Sequence, residues 1–492
     1  MLFNSLSFLV FFPTVTALYF LLPHRYRWLL LLVASGIFYM VFIPAYILIL
    51  ALLIVIDYFA CIWIEQSQGR KRKTFLLLSI LSVCLALFTF KYFNFINGNL
   101  RALAGFLDWN YPIGVLRLIL PLGLSFHTFQ SLSCVIEVYK GRQKAERNFG
   151  IYALYVMFFP QLVAGPIERP QHLLHQFYEV HDFEYRRVTD GLKLMLWGFF
   201  KKVVIADRLA ALVNPVYDNP VNHPGVSLML ATFFFAFQIY CDFSGYSDIA
   251  IGAAQVMGFG LVQNFRRPYF AKSVSEFWRR WHISLSSWFR DYVYIPLGGN
   301  RVSRWRHYFN IFVTFLISGL WHGANWTFVI WGALHGLYVL AETVTERIRN
   351  AFAHAAGLDR VPVLLKSAQV SVTFALVTFA WIFFRAKSVQ AAWYIITHLF
   401  SGFGDLLRRL PAFVSSRGRL GLPVPGSKQD YAIATALVVF LVLAQLVQRR
   451  AGIRQRIARS PTWLRWTAYY GLVLAILLLG VFENRQFIYF QF

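Results

Sequence analysis

Long apolar stretches dominate the chain, and most of them are long enough to cross a bilayer as helices. A transmembrane helix needs about 20 predominantly apolar residues, because inside lipid the backbone polar groups must bond within the segment. About 11 stretches meet this requirement, and they begin near Leu6, Ala45, Phe75, Ile113, Ile151, Val226, Tyr308, Trp326, Ala368, Tyr431 and Trp466. The pattern predicts an all-α polytopic integral membrane protein.

Two shorter apolar runs predict elements of another kind. Residues 28–44 contain Gly36 and end at Pro44, which is typical of a short span or a re-entrant hairpin, and residues 391–400 are too short to cross. Counting 28–44 as a crossing raises the total from about 11 to about 12 transmembrane helices. Apart from a loop-like insertion at 402–428, we see neither an internal repeat nor a domain boundary. The sequence therefore predicts a single membrane-embedded domain over residues 1–492.

The charged residues agree with this topology. The formal net charge is +25, yet only 14% of the residues are charged and 58% are hydrophobic, so the apolar surface exceeds what one soluble core could bury. Lys and Arg concentrate in short loops, most densely at 70–73, 140–147 and 449–459, and the positive-inside rule places these loops on the cytoplasmic side. This distribution argues against a nucleic-acid partner and for contact with membrane lipid headgroups.

The N-terminal run and the cysteines argue against three further features: a cleaved leader, a disulfide framework and a metal site. Residues 2–22 have no basic residue before them, whereas His24, Arg25 and Arg27 follow, so the pattern predicts an uncleaved first span with its N-terminus outside. The four cysteines lack C-x-x-C spacing. We therefore expect neither a disulfide framework nor a metal site.

A polar string, DFSGYSD at 242–248, interrupts the apolar stretch 228–259. Its two carboxylates are costly inside a membrane unless they are paired, hydrated or at an interface. The string is compatible with a helix break held by Asp–backbone hydrogen bonds and with a polar-lined cavity. The candidate cavity-lining residues are Asp242, Ser244, Tyr246 and Asp248.

Residues 276–291 combine aromatic and charged side chains. Phe277, Trp281, Leu285 and Trp288 follow the i, i+4, i+8, i+11 spacing of one helix face, so the pattern predicts an amphipathic helix. His282 follows Trp281 by about 100° around that helix and lies on the border of the two faces. The arginines that would meet headgroups or the phosphates of a donor are Arg279, Arg280 and Arg290.

The string SGLWHGANW at 318–326 places His322 between two glycines, Gly319 and Gly323, which leave room around its ring. A neutral imidazole can accept a proton from a hydroxyl near neutral pH and return it, as acyl transfer to an alcohol requires. The chain has no G-x-S-x-G elbow and no cysteine beside a histidine, so a serine or thiol acyl-enzyme is not supported. We interpret His127 and His335 as packing histidines.

These strings resemble motifs of the membrane-bound O-acyltransferase family, and within it the bacterial branch of alginate O-acetylation proteins. The resemblance rests on DFSGYSD at 242–248, EFWRRWHIS at 276–284 continuing to Arg290 and Asp291, YIPLGGNR at 294–301 and LWHG at 320–323. It extends to FPQ at 159–161, GPI at 165–167 and the closing FIYFQF at 487–492. It therefore covers nearly the whole chain, with a motif core at about 232–343.

The resemblance implies a helical scaffold around a central tunnel. It puts His322 in the position of the family's catalytic histidine and His282 in that of its second motif histidine, and it adds Trp281, Trp321 and Asn325 to the expected tunnel lining. It implies transfer of acetyl from a cytoplasmic donor such as acetyl-CoA, with no bound cofactor, across a bacterial inner membrane to an exported polysaccharide, first of all alginate. Periplasmic or membrane-anchored acetyltransferase proteins are the implied partners, and the N-terminus would be periplasmic.

Other functions stay open from the sequence. The acyl acceptor could instead be peptidoglycan or cellulose, or the reaction could be D-alanylation of teichoic acid. A transporter is the alternative from another class, because Asp242, Asp248 and the histidines could form an ion or proton path.

Overall fold

The computed structural model describes residues 1–41, 43–119, 121, 123–162, 165–402, 404, 426–448, 460–482 and 488. The basic run 449–459, most of the insertion 402–428 and all of the closing motif except Ile488 lie outside these residues. Every regular element among the described residues is a helix. The all-α prediction is therefore confirmed.

The chain forms two compact units. The first comprises residues 1–198 and 246–263, and the second comprises residues 199–245 and 264–492. The α-helices of the first unit are Leu6–Leu21, His24–Met40, Tyr46–Gln66, Gly69–Leu87, Phe93–Phe106, Leu124–Tyr139, Phe149–Met157, Phe159–Leu162, Pro170–Leu173 and Tyr185–Phe199, with a π-helical turn at Phe88–Tyr92 and a 3₁₀ turn at Leu174–Tyr178. Phe199, the last residue of Tyr185–Phe199, is counted with the second unit.

The second unit contains both motif histidines. Its α-helices are Asp207–Asp218, Val274–Trp278, Ile283–Phe289, Arg304–His322, Trp326–Val344, Glu346–Ala355, Pro362–Arg385, Val389–His398, Lys428–Gln448 and Thr462–Leu479. It also has π-helical turns at Phe200–Ala206 and Arg290–Tyr294, and 3₁₀ turns at Pro220–Asn222, Pro268–Phe270 and Leu358–Arg360. The long helix Gly225–Met257 belongs to both units.

Among the described residues, seven helices are long and apolar enough to cross a membrane. They are Tyr46–Gln66, Gly69–Phe106, Gly225–Met257, Trp326–Val344, Pro362–Arg385, Lys428–Gln448 and Thr462–Leu479. Burial differs widely among them. Within the apolar part of Gly225–Met257, 83% of the residues are buried, whereas none of those in Thr462–Leu479 are buried. The protein is therefore multi-pass, with one largely buried apolar helix and others whose apolar surface is exposed. The described residues contain fewer long apolar helices than the predicted 11 to 12 spans.

The span predicted to start near Ile113 is absent among the described residues. Residues Phe93–Phe106 are helical, and the next segment, predicted to start a span near Ile113, is extended and lies along that helix. Asn94 both donates to Leu116 O at 2.8 Å and accepts from Leu116 N at 2.9 Å, and Asn97 donates to Gly114 O at 2.9 Å. These amides satisfy the extended backbone, which explains why polar residues occur here on a helix.

The predicted span near Ile151 is also absent. The helix Phe149–Met157 ends at Phe158, and a separate turn, Phe159–Leu162, follows. The Phe159 N–H, which the break frees, donates to the Ser35 hydroxyl at 3.0 Å. A break inside an apolar segment is tolerated because a neighbouring side chain satisfies the backbone.

The two polar strings differ from their predicted conformations as well. Gly225–Met257 runs through Asp242 and Asp248 as one helix, so the helix break is wrong. By contrast, 276–291 is not one helix, because His282 has a left-handed backbone (φ 44°) and separates Val274–Trp278 from Ile283–Phe289. The four aromatic and aliphatic residues predicted to share a face are all buried, because the break folds the second helix back into the core.

Close packing of two helices determines where His322 lies. A Cβ added to Gly319 would lie 3.0 Å from Gly332 Cα, and one added to Gly332 would lie 3.0 Å from Gly319 Cα. Small residues allow such backbone contact between membrane helices. The Phe328 ring occupies the space that a side chain at residue 323 would need. The glycines beside His322 therefore serve close packing of the helices and of the Phe328 ring, whereas the prediction gave them the role of leaving room around the imidazole.

We expect Gly319→Ala to lower the thermal stability of the purified protein, because the added methyl group meets backbone that cannot yield. Overpacking of this kind costs about 1–3 kcal/mol. Gly471→Ala is the matched control, since Gly471 lies on a membrane-spanning helix with open space around it. Equal melting temperatures for the two variants in detergent would contradict the packing argument.

Candidate functional site

His322 is the last residue of the helix Arg304–His322, and the chain turns into extended backbone at Gly323. The next helix begins at Trp326, where the Asn325 side chain accepts a hydrogen bond from Thr327 N at 3.0 Å. The Asn325 amide also donates to Lys387 O at 3.3 Å. Asn325 therefore caps a helix and fixes the turn after His322. This structural role is separate from its predicted place in a tunnel lining.

Aromatic rings enclose the His322 side chain, which is 5% exposed. The ring centroid lies 4.7 Å from that of Trp321, 4.9 Å from that of Trp331 and 5.4 Å from that of Phe384, all in edge-on geometry. Trp331 in turn stacks on Trp381 at 5.8 Å. This cage holds the imidazole in one orientation and in a low-dielectric environment, where polar interactions are strengthened.

His282 is completely buried at the break between its two short helices. Its Nδ1 lies 3.1 Å from Asn264 Oδ1, which also accepts hydrogen bonds from the Ser284 N–H at 3.3 Å and the Ser284 hydroxyl at 3.0 Å. Because the amide oxygen is an acceptor, Nδ1 carries the ring proton and Nε2 is the nitrogen with a lone pair. Sequence reasoning missed Asn264, which has no motif spacing to His282 and meets it only in the fold.

The structure brings the two motif histidines to the same side chain. The Trp321 ring centroid lies 4.7 Å from that of His322 and 6.3 Å from that of His282. The Phe243 ring packs edge-on against His282 from the other side, at 4.6 Å. His282, Trp321 and His322 thus form one aromatic group, although 40 positions separate the histidines in sequence.

Other predicted site residues occupy distinct places. Trp281 is buried in the aromatic core, with its ring 5.1 Å from that of Trp381 and 5.1 Å from that of Phe265. Ser244 accepts a hydrogen bond from Lys201 Nζ at 2.9 Å. Asp242 forms an ion pair with Lys202.

Tyr246 and Asp248 belong to the first unit. The Tyr246 ring is buried, and its centroid lies 5.2 Å from that of the Phe3 ring. Asp248 is half-buried. Their assignment to a tunnel lining stays a prediction.

The three arginines of the 276–291 segment differ in their availability to an anion. Arg279 is exposed, and Arg290 is exposed with its Nε 2.8 Å from Asp291 Oδ1. Arg280 pairs with Glu276. Burial raises the pKa of Glu276, but the Lys272 N–H and the Arg280 guanidinium outweigh it and hold this pKa below its ordinary value. Arg280 and Arg290 are both paired with a carboxylate, but the Arg280 side chain is only 25% exposed whereas that of Arg290 is 62% exposed. Arg279 and Arg290 are therefore the guanidinium groups more accessible to a phosphate.

A cavity of about 190 Å³ lies one helical turn from His322. Ser318, four residues before His322 on the same helix, lines it, and Arg290 lies at the same cavity. Residues at i and i+4 lie on one helix face. The other lining residues are mostly apolar: Trp278, Leu285, Ser286, Phe289, Tyr294, Ile311, Thr314, Phe315 and Val339.

The two histidines assigned to packing are both buried. His335 accepts a hydrogen bond from Trp278 Nε1 at 3.2 Å, and its ring lies 5.0 Å from that of Trp331. His127 lies in the first unit, with its ring 5.9 Å from that of Tyr39. His335 thus supports the wall of the His322 cage from behind, which agrees with a packing role.

Known proteins resemble this chain over most of its length. Residues 147–357 match the MBOAT, membrane-bound O-acyltransferase family. A Pseudomonas aeruginosa protein named probable alginate O-acetylase AlgI is 40% identical over 82% of this chain and 75% of its own length, and its namesake from Azotobacter vinelandii is 39% identical over 94% and 87%. A Helicobacter pylori protein named peptidoglycan O-acetyltransferase is 32% identical over 100% and 98%.

Proposed function

Because the chain belongs to the membrane-bound O-acyltransferase family, we propose that it moves acetyl from a cytoplasmic donor to an exported polysaccharide, with alginate as the first acceptor to test. The observation that carries this proposal is the enclosed His322, which shares the Trp321 ring with His282 and lies one turn from a cavity. The relatives named alginate O-acetylase support the acceptor class. Family membership also decides between an enzyme and a transporter in favour of the enzyme.

His322 is the proposed general base. The hydroxyl that receives acetyl from this chain, on the partner or on the polymer, gives its proton to the imidazole as its oxygen attacks the acetyl carbonyl carbon. A carbon–oxygen bond then forms, the carbon–sulfur bond of a thioester donor breaks, and the imidazolium returns the proton to the leaving thiolate. The position of His322 at the C-terminal end of its helix supports this role, because the negative end of the helix dipole favours the positively charged ring.

His282 is the proposed second histidine of the reaction path. The Asn264 hydrogen bond at Nδ1 orients the Nε2 lone pair, and the shared Trp321 ring fixes the position of one histidine relative to the other. We propose further that His282 lies on the cytoplasmic approach, where it positions the donor or relays a proton to His322.

The donor is proposed to be acetyl-CoA or another acetyl thioester, used as a substrate, with no bound cofactor. Its phosphates would meet Arg279 and Arg290, although lipid headgroups suit the same exposed guanidinium groups. Arg290 and Ser318 of the His322 helix both line the cavity, which supports entry of the donor from this side.

The setting proposed for this reaction is a bacterial inner membrane with the N-terminus in the periplasm. An acceptor outside the membrane requires that the acetyl group leave this chain on the periplasmic side, so a periplasmic or membrane-anchored acetyltransferase is the proposed partner for the final step. Peptidoglycan is the second acceptor to test, because the relative named peptidoglycan O-acetyltransferase matches the whole chain. Cellulose and D-alanylation of teichoic acid rank below it.

Mass analysis of envelope polymers tests the acceptor. Cells that lack the gene should lose ester-linked acetyl from an exported polysaccharide and regain it when the gene is restored. Loss of acetyl from the glycan strands of peptidoglycan, with the polysaccharide unchanged, would indicate that peptidoglycan and not the exported polysaccharide is the acceptor. Unchanged esters on all envelope polymers would contradict the proposed function.

A further inference from the structure

A buried lysine lies between two carboxylates in the second unit. Lys202 Nζ is 2.8 Å from Asp207 Oδ1 and 2.6 Å from Asp242 Oδ1, and these three side chains are at most 5% exposed. A buried ion pair is weak support for stability, because the loss of hydration offsets the attraction. The contacts that this cluster makes with other residues are therefore a better guide to its function than its contribution to stability.

Asp242 also binds the end of the chain. Its second carboxylate oxygen, Oδ2, accepts a hydrogen bond from the Ile488 N–H at 2.8 Å, and Ile488 is 3% exposed. Two further bonds attach the residues that precede it: Val481 N–H donates to Val203 O at 2.9 Å, and Arg208 donates to Leu479 O at 2.9 Å. We call Leu479, Val481 and Ile488 the C-terminal attachment.

The residues beside Asp242 connect this attachment to the candidate site. Phe243 packs its ring edge-on against His282 at 4.6 Å, and Ser244 binds Lys201 Nζ at 2.9 Å. Three consecutive residues of one helix therefore contact the C-terminal attachment, a site histidine and the Phe200–Ala206 turn. A shift of the helix turn formed by residues 242–244 would move the Phe243 ring. That ring contacts His282 on the side away from Trp321.

We propose that Asp242 is a positioning residue that clamps the C-terminal attachment to the helix turn carrying Phe243, and thereby holds His282 in place. Lys202 fixes one carboxylate oxygen so that the other points at the Ile488 N–H. The clamp itself rests on the contacts of Asp242, whereas its effect on acetyl transfer rests on the proposed function.

Cysteine labelling tests the clamp independently of activity. Ile488→Cys is introduced into the full chain with its four native cysteines replaced by alanine, and membranes are treated with a maleimide. We expect slow labelling in this parent and labelling faster by on the order of tenfold after Asp242→Asn, because a hydrogen bond to a charged acceptor is weakened. Asp207→Asn is the matched control, since it alters the same lysine but does not touch Ile488, and should leave labelling slow.

A second pair of variants tests the link to the reaction without disturbing the ion pair. Ile488→Pro removes the N–H that donates to Asp242 and also fixes the φ angle at residue 488, whereas Ile488→Val keeps the N–H and a similar apolar side chain. Misplacement of catalytic groups by about 1 Å costs on the order of 100-fold, so Ile488→Pro should lower polymer acetylation strongly and Ile488→Val should retain parental activity. His322→Ala should abolish acetylation while leaving Ile488→Cys protected, which separates failure of the clamp from failure of the proposed function.

Three results would overturn the proposal: slow labelling after Asp242→Asn, equal labelling in the Asp242→Asn and Asp207→Asn variants, or equal acetylation by Ile488→Pro and Ile488→Val.

Discussion

Replacing His322 by alanine is expected to lower the rate of acetyl transfer by about 100- to 10,000-fold, the range that a positioned general base contributes. His322 lies inside a cage of Trp321, Trp331 and Phe384, whose rings carry no group that accepts a proton near neutral pH. Acetylation is measured as polymer-bound ester in cells that lack their own copy of the gene.

Two companions to this variant separate chemistry from folding. His322→Gln keeps most of the side-chain volume within the cage but cannot take up a proton near neutral pH, and it should be as inactive as His322→Ala. His335→Gln is the matched control, because His335 is buried in the same aromatic group and accepts a hydrogen bond from Trp278, a function that the glutamine oxygen can retain. If His322→Gln were active and His335→Gln inactive, the base would have to be reassigned.

The second large effect is expected at Asn264. Asn264→Ala removes the single oxygen that accepts from His282 Nδ1, the Ser284 N–H and the Ser284 hydroxyl. Each buried donor left without an acceptor costs about 1–3 kcal/mol, and a displaced His282 should lower acetyl transfer by on the order of 100-fold. The loss should appear mainly in kcat, since the arginines that would meet the donor are unchanged.

Asn264→Asp and Asn310→Ala control this prediction. The aspartate keeps an acceptor for His282 Nδ1 and should restore part of the activity. Asn310 is an equally buried asparagine of the same unit, and its side chain donates to Gly299 O at 3.1 Å. Full activity of Asn264→Ala, or the same loss in Asn310→Ala, would show that the amide does not act through His282.

The sequence predicts the class of fold well, because bilayer crossing leaves a strong signal in hydropathy. Seven of the predicted starts correspond to helices long enough to span, including those near Ala45, Val226 and Tyr431. The errors occur where side chains satisfy the backbone in ways that hydropathy does not encode. Asn94 bonds both polar groups of Leu116, and Ser35 caps the broken helix at Phe159.

The sequence points to the two histidines of the candidate site but not to the contacts that join them to other residues. Motif resemblance points to His322 and His282, yet the single helix predicted for 276–291 conceals that His282 lies at a break. A left-handed residue that is not glycine is rare, and hydrophobic spacing carries no signal for it. The contacts that join the site, Asn264 with His282 and Trp321 with both rings, depend on residues distant in sequence.

The most direct test of the central claim is transfer of labelled acetyl by the purified protein in proteoliposomes. Given an acetyl thioester outside and a polysaccharide with its partner acetyltransferase inside, the parental protein should produce free thiol together with labelled polymer, and His322→Ala should produce neither. Labelled polymer formed at the parental rate by His322→Ala, or movement of solute without consumption of the thioester, would contradict a histidine-dependent O-acyltransferase.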